Sequence, residues 1–315
     1  MFLSLLQAGP ASGPEPVNAL EVLLEYVGFA AWFATFGALG FRFAVLRRDA
    51  GGDAVLMASA GHGAARIGLI GAVLMLARSL INAARAAAER DVSIVEALQG
   101  RPMVPFLCAI VLLVAFGMAQ GRIRIGWWIA AVAGAVLALR NVTTGRWPSL
   151  VNPLHEMAAS LWLGTLFVLL IIGLPAVMRA GSPESRGRTV ALLVSRFSPL
   201  ALGAAALLGT TGVITAVRHL KYWSALWTTP YGYAFDVKLS LVLCVIALGA
   251  WNWRRMTPRL GDEAAARDLR RSARAELTFA GLVLLVTGIL VSLPSPRAPG
   301  EQPPPPPPPA VTAPG

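Results

Sequence analysis

Apolar residues run in long stretches rather than alternating with polar ones, and clusters of charge, proline or glycine break those stretches. At 1.5 Å per residue, about 20 apolar residues cross a hydrocarbon core of roughly 30 Å, so each stretch reads as a membrane-crossing helix. The breaks predict eight spans, at 21–46, 64–86, 103–120, 125–140, 153–178, 199–218, 233–253 and 274–293. The expected fold is all-α, a polytopic membrane helix bundle. The second span is the weakest. Arg78, Asn82 and Arg85 share one side of it, so that side must face protein or water rather than lipid.

Basic residues set the orientation of such a bundle. Of 27 Lys and Arg, sixteen fall in one set of alternate connections, eight in the other and three within spans. The sixteen are expected in the cytoplasm, which puts both termini in the periplasm and agrees with an even number of spans. Tryptophan and tyrosine anchor at interfaces. Trp147, Tyr222, Trp223, Trp227, Tyr231 and Tyr233 fall at the predicted outer boundary, and Trp127, Trp128, Trp251 and Trp253 at the inner one.

Four segments follow: a periplasmic N-terminal stretch at 1–20, spans one to four within 21–149, spans five to eight within 150–293, and a tail at 294–315. Residues 1–20 hold no Lys or Arg, so the stretch lacks the basic region of a secretory signal and is expected to be retained. The Pro303–Pro309 run favours a polyproline II rod in a disordered tail.

With 56% hydrophobic and 14% charged residues, the chain is too poor in charge for an ordinary soluble domain. The formal net charge of +11 then reports topology, and no nucleic-acid partner is expected. Cys108 and Cys244 lie in apolar runs, far apart in sequence, which leaves no disulfide framework and no thiolate zinc site. No G-x-x-x-x-G-K-[ST] motif is present to bind ATP. A non-enzymatic membrane protein is expected.

Two of the three histidines carry the chemistry. Asn152 and Pro153 read as an N-cap and a first helical residue, which places His155 in the first turn of span five. His219 closes span six, so both imidazoles are expected at a common depth on the periplasmic face, where together they would bind one metal ion. Glu156, about 100° around the helix, is the better placed additional ligand; Met157, nearly opposite His155, is not. Met103 is a more distant candidate. Thr211, Thr215 and His219 recur every four residues as one polar stripe, and Asp236 and Lys238 add ionisable groups in the outer third of span seven. These four residues besides the histidine, Thr211, Thr215, Asp236 and Lys238, form the expected transport path. Glu276 is expected in an inner-surface ion pair beside Arg271 and Arg274, and His62 in a Gly-rich connection. Ser160 with Gly164, and Ala205 with Gly209, have the spacing of close helix contacts.

The segments HEMAASLWLGTLFVLL, RFSPLALGAAALLGTTGVITA, TTPYGYAFDVKLSLVLCVIALGAWNWRRMTPRL and RAELTFAGLVLLVTGILVSLP follow in an order that resembles the copper resistance protein D (CopD) family. The resemblance covers about residues 150–296. It implies a multi-pass protein of the bacterial inner membrane that handles copper, with uptake from periplasm to cytoplasm and a periplasmic copper-binding partner. It also implies that His155, Lys238 and Glu276 match the family's histidine, lysine and carboxylate. Copper would be cargo rather than a fixed cofactor. Two alternatives stand beside this reading: a redox protein holding b-type haem between helices, and a copper-linked membrane scaffold for a periplasmic chaperone.

Overall fold

The computed structural model describes residues 19–46, 54–100, 102–139, 148–180, 183–219, 223–251, 254 and 263–293. Helix is the only regular structure among them. The elements are α1 (Ala19–Gly40), α2 (Ala54–Arg90), α3 (Ile94–Leu98), α4 (Met103–Gln120), α5 (Ile125–Leu139), α6 (Pro148–Val168), α7 (Leu174–Ala180), α8 (Pro183–His219), α9 (Ala225–Thr228), α10 (Pro230–Trp251) and α11 (Glu263–Ser292). A π-helical turn, Phe41–Val45, extends α1, and another, Leu169–Gly173, joins α6 to α7.

Among the described residues, seven helices are long and apolar enough to cross a membrane; α5, the fourth expected span, has 15 residues and falls short of that length. At 1.5 Å per residue it rises about 22 Å, less than a bilayer core, and it packs along α4. The expected eight crossings therefore become seven long helices and one shorter apolar helix. Of the expected N-terminal segment 1–20, residues 1–18 lie outside the described residues, as does the Pro-rich tail, while Ala19 and Leu20 begin α1.

Four helix starts lie five or more residues before expectation, among them α11, which begins at Glu263 rather than at 274. α2 begins ten residues earlier than 64, and the Gly61-His62-Gly63 segment lies within it rather than in a connection. α6 begins at Pro148, so Pro153 is internal. A proline in the second turn removes a single backbone donor, a small loss when Pro148 already supplies a preset first residue. α8 begins at Pro183 and runs through Pro199, so the expected 179–198 connection is mostly helix.

The packing is centred on α1, which lies against α2, α6 and α11. From α2 the bundle extends to α4 and then α5; from α6 it extends to α8. α10 pairs with α11, and α11 ties that hairpin to α1. Lipid is as apolar as leucine, so helices in a bilayer associate through close packing and polar contacts rather than through the hydrophobic effect. The α1–α6 contact shows this. A Cβ on Gly37 would collide with the backbone of Gly164, and one on Gly164 with the Phe33 carbonyl. Ser160 of the same stripe is fully buried. The matching expectation for α8 fails, because Gly209 faces open space.

Ring placement divides similarly. Trp128, Trp223, Trp227, Tyr233 and Trp251 are exposed, as interfacial anchors should be. Trp127 and Tyr231 are buried instead. Trp127 meets Phe116 edge-on at 5.8 Å, and the Arg42 guanidinium lies 5.8 Å from its ring centre, so its contacts are with the core. Trp147, Tyr222 and Trp253 lie outside the described residues.

Candidate functional site

α6 and α8 run side by side, and their polar residues meet along that seam. His155 Nδ1 lies 3.0 Å from Thr211 Oγ1, and Thr215 Oγ1 donates to Asn152 Oδ1 at 3.3 Å. The Asn152 side chain therefore bonds across to α8 instead of capping its own helix. His155 approaches α8 over Gly212, where an added Cβ would stand 3.3 Å from His155 Cε1. Glycine at this position lets the imidazole lie against the helix backbone.

The hydrogen bonds of Thr211 decide which imidazole nitrogen carries the proton. Its hydroxyl donates to the Leu207 carbonyl at 2.6 Å, four residues back. A hydroxyl has one proton, so Oγ1 acts as acceptor toward His155, and Nδ1 carries the hydrogen of the neutral ring. The remaining lone pair sits on Nε2, the atom that would ligate a metal. A side chain that holds one ring nitrogen and frees the other is the usual support for a ligating histidine.

Lys238 is half-buried and lies close enough to His155 to act on it electrostatically. Asp236 is exposed. The start of α10 is set by the TPYG sequence: Thr229 Oγ1 accepts from the Gly232 N–H at 3.0 Å, a cap with Pro230 as first helical residue. A Cβ on Gly232 would collide with the Ala225 carbonyl, so only glycine lets α9 cross there.

His155 and His219 are not level. His155 stands opposite Thr211, and His219 follows eight residues later, about 12 Å of helical rise. The early start of α6 is the reason, since it carries His155 two turns into the helix. The His219 side chain lies outside the described residues. Glu156 is half-buried beside His155, and Met157 packs against the core. No group of three or more His, Cys, Asp or Glu residues suited to a metal is present among the described residues.

Glu276 is not brought to this site. It is 4% exposed, and its carboxylate lies 3.5 Å from where a Cβ on Gly249 would stand. Gly249 is eleven residues beyond Lys238, about 16 Å along α10. Glu276 thus lies at the α10–α11 contact, with Arg271 and Arg274 exposed earlier on its own helix.

His62, expected in a Gly-rich connection, lies within α2 and bonds across to α4. With the Gln120 amide oriented to satisfy its neighbours, Oε1 accepts from Arg66 Nε at 2.8 Å and from His62 Nε2 at 3.0 Å, while the amide nitrogen donates to the His62 carbonyl at 3.0 Å. Arginine can only donate, so it fixes the amide, and the amide fixes the ring proton on Nε2. His62 Nδ1 is left buried without a partner among the described residues. The only sequence signal was the spacing of His62 and Arg66, one turn apart on a helix assigned too short.

The family-model match falls on the α8–α11 side of the seam. Residues 191–290 match the family model of copper resistance protein D. That stretch holds Thr211, Thr215, His219, Asp236, Lys238 and Glu276, while His155 lies ahead of it. The copper transport protein CutJ of Bacillus subtilis (strain 168) is 31% identical over 176 residues, which is 55% of this chain and 30% of that protein. The chain thus spans less than a third of the length of this curated relative. No solved structure matches the chain. The chain is thus similar, over part of its length, to copper-handling proteins, and its described helices are long and apolar enough for a multi-pass membrane protein.

Proposed function

We propose that the protein carries copper across the bacterial inner membrane, from periplasm to cytoplasm, and is not an enzyme. His219 meets the ion at the periplasmic end of the bundle. His155 takes it next, two helical turns deeper, through Nε2. The observation that carries this reading is the His155–Thr211 bond, which fixes the imidazole of α6 against the helix that begins the CopD match. Thr211 and Thr215 line the passage, Glu156 adds a carboxylate beside the histidine, and Lys238 and Asp236 stand on the α10 side. A cation arriving beside Lys238 is disfavoured by like charge, which suits a transient site rather than a store. Imidazole ligates both copper oxidation states, and a periplasmic copper-binding protein is the natural donor. The described histidines offer no facing pair for haem, since His155 abuts α8 and His62 abuts α4.

Copper accumulation in cells expressing His155→Ala tests the proposal. Uptake should fall at least tenfold at unchanged membrane level, the loss of about 1.4 kcal/mol or more of ligand interaction. Uptake equal to the parent protein would remove His155 from the path. His219→Ala should weaken capture at low copper and be rescued at high copper, because an entry ligand acts on loading.

A further inference from the structure

A second polar feature lies on the other side of α1, away from the α6–α8 seam. A cavity of about 240 Å3 opens between α1, α2, α4 and α5, with Arg78, Ser79, Asn82 and Arg90 of α2 on one wall and Trp32 and Leu137 opposite. Its depth follows from register. Gly37 meets Gly164, and Gly28 and His155 each come nine residues earlier on these two parallel helices, so the cavity at Gly28 is level with the histidine. It stands at the same end of the bundle.

The lining is charged in one sense: two arginines and no carboxylate face the space. Arg78 bonds Glu25 of α1 through Nη2 at 2.5 Å, and its guanidinium passes over Gly28, where a Cβ would displace it. That bond uses one of five guanidinium donors. Arg90 is exposed at the rim, and Asn82, two turns earlier on α2, adds an amide to the wall. At roughly 30 Å3 per water, the volume equals about eight waters, too large for a packing fault and below the ~300 Å3 of a drug-sized pocket. It suits a small oxyanion with a few attached atoms.

The rim indicates the source of that oxyanion. After Arg90 the chain turns sharply at Asp91, φ 52°, and enters α3 through a reciprocal cap between Ser93 and Glu96. Ala97 of this short helix faces the cavity, while Ile94 and Val95, 48% and 70% exposed, face away from the protein. Exposed branched apolar residues beside arginines mark the boundary between headgroups and acyl chains. Basic pockets between membrane helices hold acidic headgroups.

We propose that this cavity binds the phosphate of an anionic phospholipid, with Arg90, reaching back along α2, and Asn82 donating to its oxygens and the acyl chains outside against α3. A zwitterionic choline headgroup would bring a cation beside two arginines and is disfavoured. The proposal does not depend on copper.

Native mass spectrometry of the delipidated full chain in detergent tests it, with phosphatidylglycerol, phosphatidylcholine and inorganic phosphate as probes. Phosphatidylglycerol should be retained about tenfold better than phosphatidylcholine, and Arg90→Gln should lower that retention about fivefold. Asn82→Ala should lower it less. Arg85→Gln, whose guanidinium turns instead to Glu21, should leave it unchanged and shows that the loss is local. Equal retention of the two lipids, or no change in an Arg90→Gln/Asn82→Ala protein that keeps its helical signal, would overturn the proposal. Displacement of the lipid by millimolar inorganic phosphate would overturn the lipid assignment, because it would make the cavity a site for the free anion.

Discussion

α6 and α8 are neighbours, yet one is built into the bundle and the other is laid upon it. In the most apolar part of α6 and its continuation 67% of residues are buried; in α8, as in α10, the share is 11%. α6 meets α1 backbone to backbone through Gly37 and Gly164, whereas α8 turns Leu202, Val213 and Val217 outward at 65% exposure or more. The difference divides the polar seam between a fixed side and a lightly held side. His155 stands on the fixed helix, and the groups it meets or senses, Thr211 and Lys238, stand on the lightly held ones. The CopD family-model match covers that second side.

The sharpest way to break this comparison is to enlarge one glycine on each side. Gly164→Leu must force α1 and α6 apart and should cost about 3 kcal/mol, seen as a large drop in thermal stability in detergent. Gly209→Leu should stay within about 0.5 kcal/mol, because open space surrounds that position. Equal losses from the two would mean that the open face of α8 is covered in the intact protein.

A smaller effect is expected from the ion pair that joins α2 to α1. Arg78→Ala leaves Glu25 half-buried without its guanidinium and should cost about 1–2 kcal/mol, between the limits for exposed and buried pairs. Adding Glu25→Gln should recover most of that loss in the same thermal assay. No recovery would show that Arg78 acts through packing alone.

Thr211→Val probes the seam itself. It removes the acceptor for His155 Nδ1–H at the cost of about 1 kcal/mol, so copper uptake should fall several-fold, while Thr211→Ser should restore it. A valine variant with full uptake would show that the imidazole needs no support from α8.

The smallest effect concerns α3. Bonds from the Ser93 backbone N–H and then the Ser93 hydroxyl hold the Glu96 carboxyl below its ordinary value of 4.5. A lowered carboxylate stabilises the cap fully above the unfolded value and loses that contribution as pH falls through the folded one. The protection factor of the Glu96 amide, the slowing of its exchange relative to the unstructured chain at the same pH, should therefore be highest at neutral pH and fall as pH drops below the ordinary carboxylate value of 4.5. Glu96→Gln should lose this pH dependence.

Some of this organisation was legible from local pattern. Runs of apolar residues located all seven long helices, and the one-sided placement of Arg78 and Arg85 correctly implied a protein-facing side, now seen in bonds to Glu25 and Glu21. The four-residue spacing of Thr211 and Thr215 likewise implied one face, and that face meets α6. Other signals misled because they carry no information about the neighbour. Pro153 and Pro199 resemble helix starts, yet each lies inside a helix whose first residue is another proline. Ala205 and Gly209 have the same spacing as Ser160 and Gly164, but only the latter pair meets a helix with glycines of its own. His62 looked isolated because Gln120, the residue that holds it, is 58 positions away.

The sequence by itself determined that the chain is a bundle of membrane helices, which of its residues are chemically able to ligate copper, and which family its second half resembles. Those properties depend on composition, on apolar length and on spacing within a single helix, and none needs a partner to be read. Tertiary structure alone decided that His155 stands opposite Thr211 and two turns from His219, that Lys238 is near the histidine while Glu276 is far from it, and that Trp127 belongs to the core. Each of these depends on the register between helices, which in a bilayer is set by where small residues let backbones touch, and that is a property of two surfaces rather than of one.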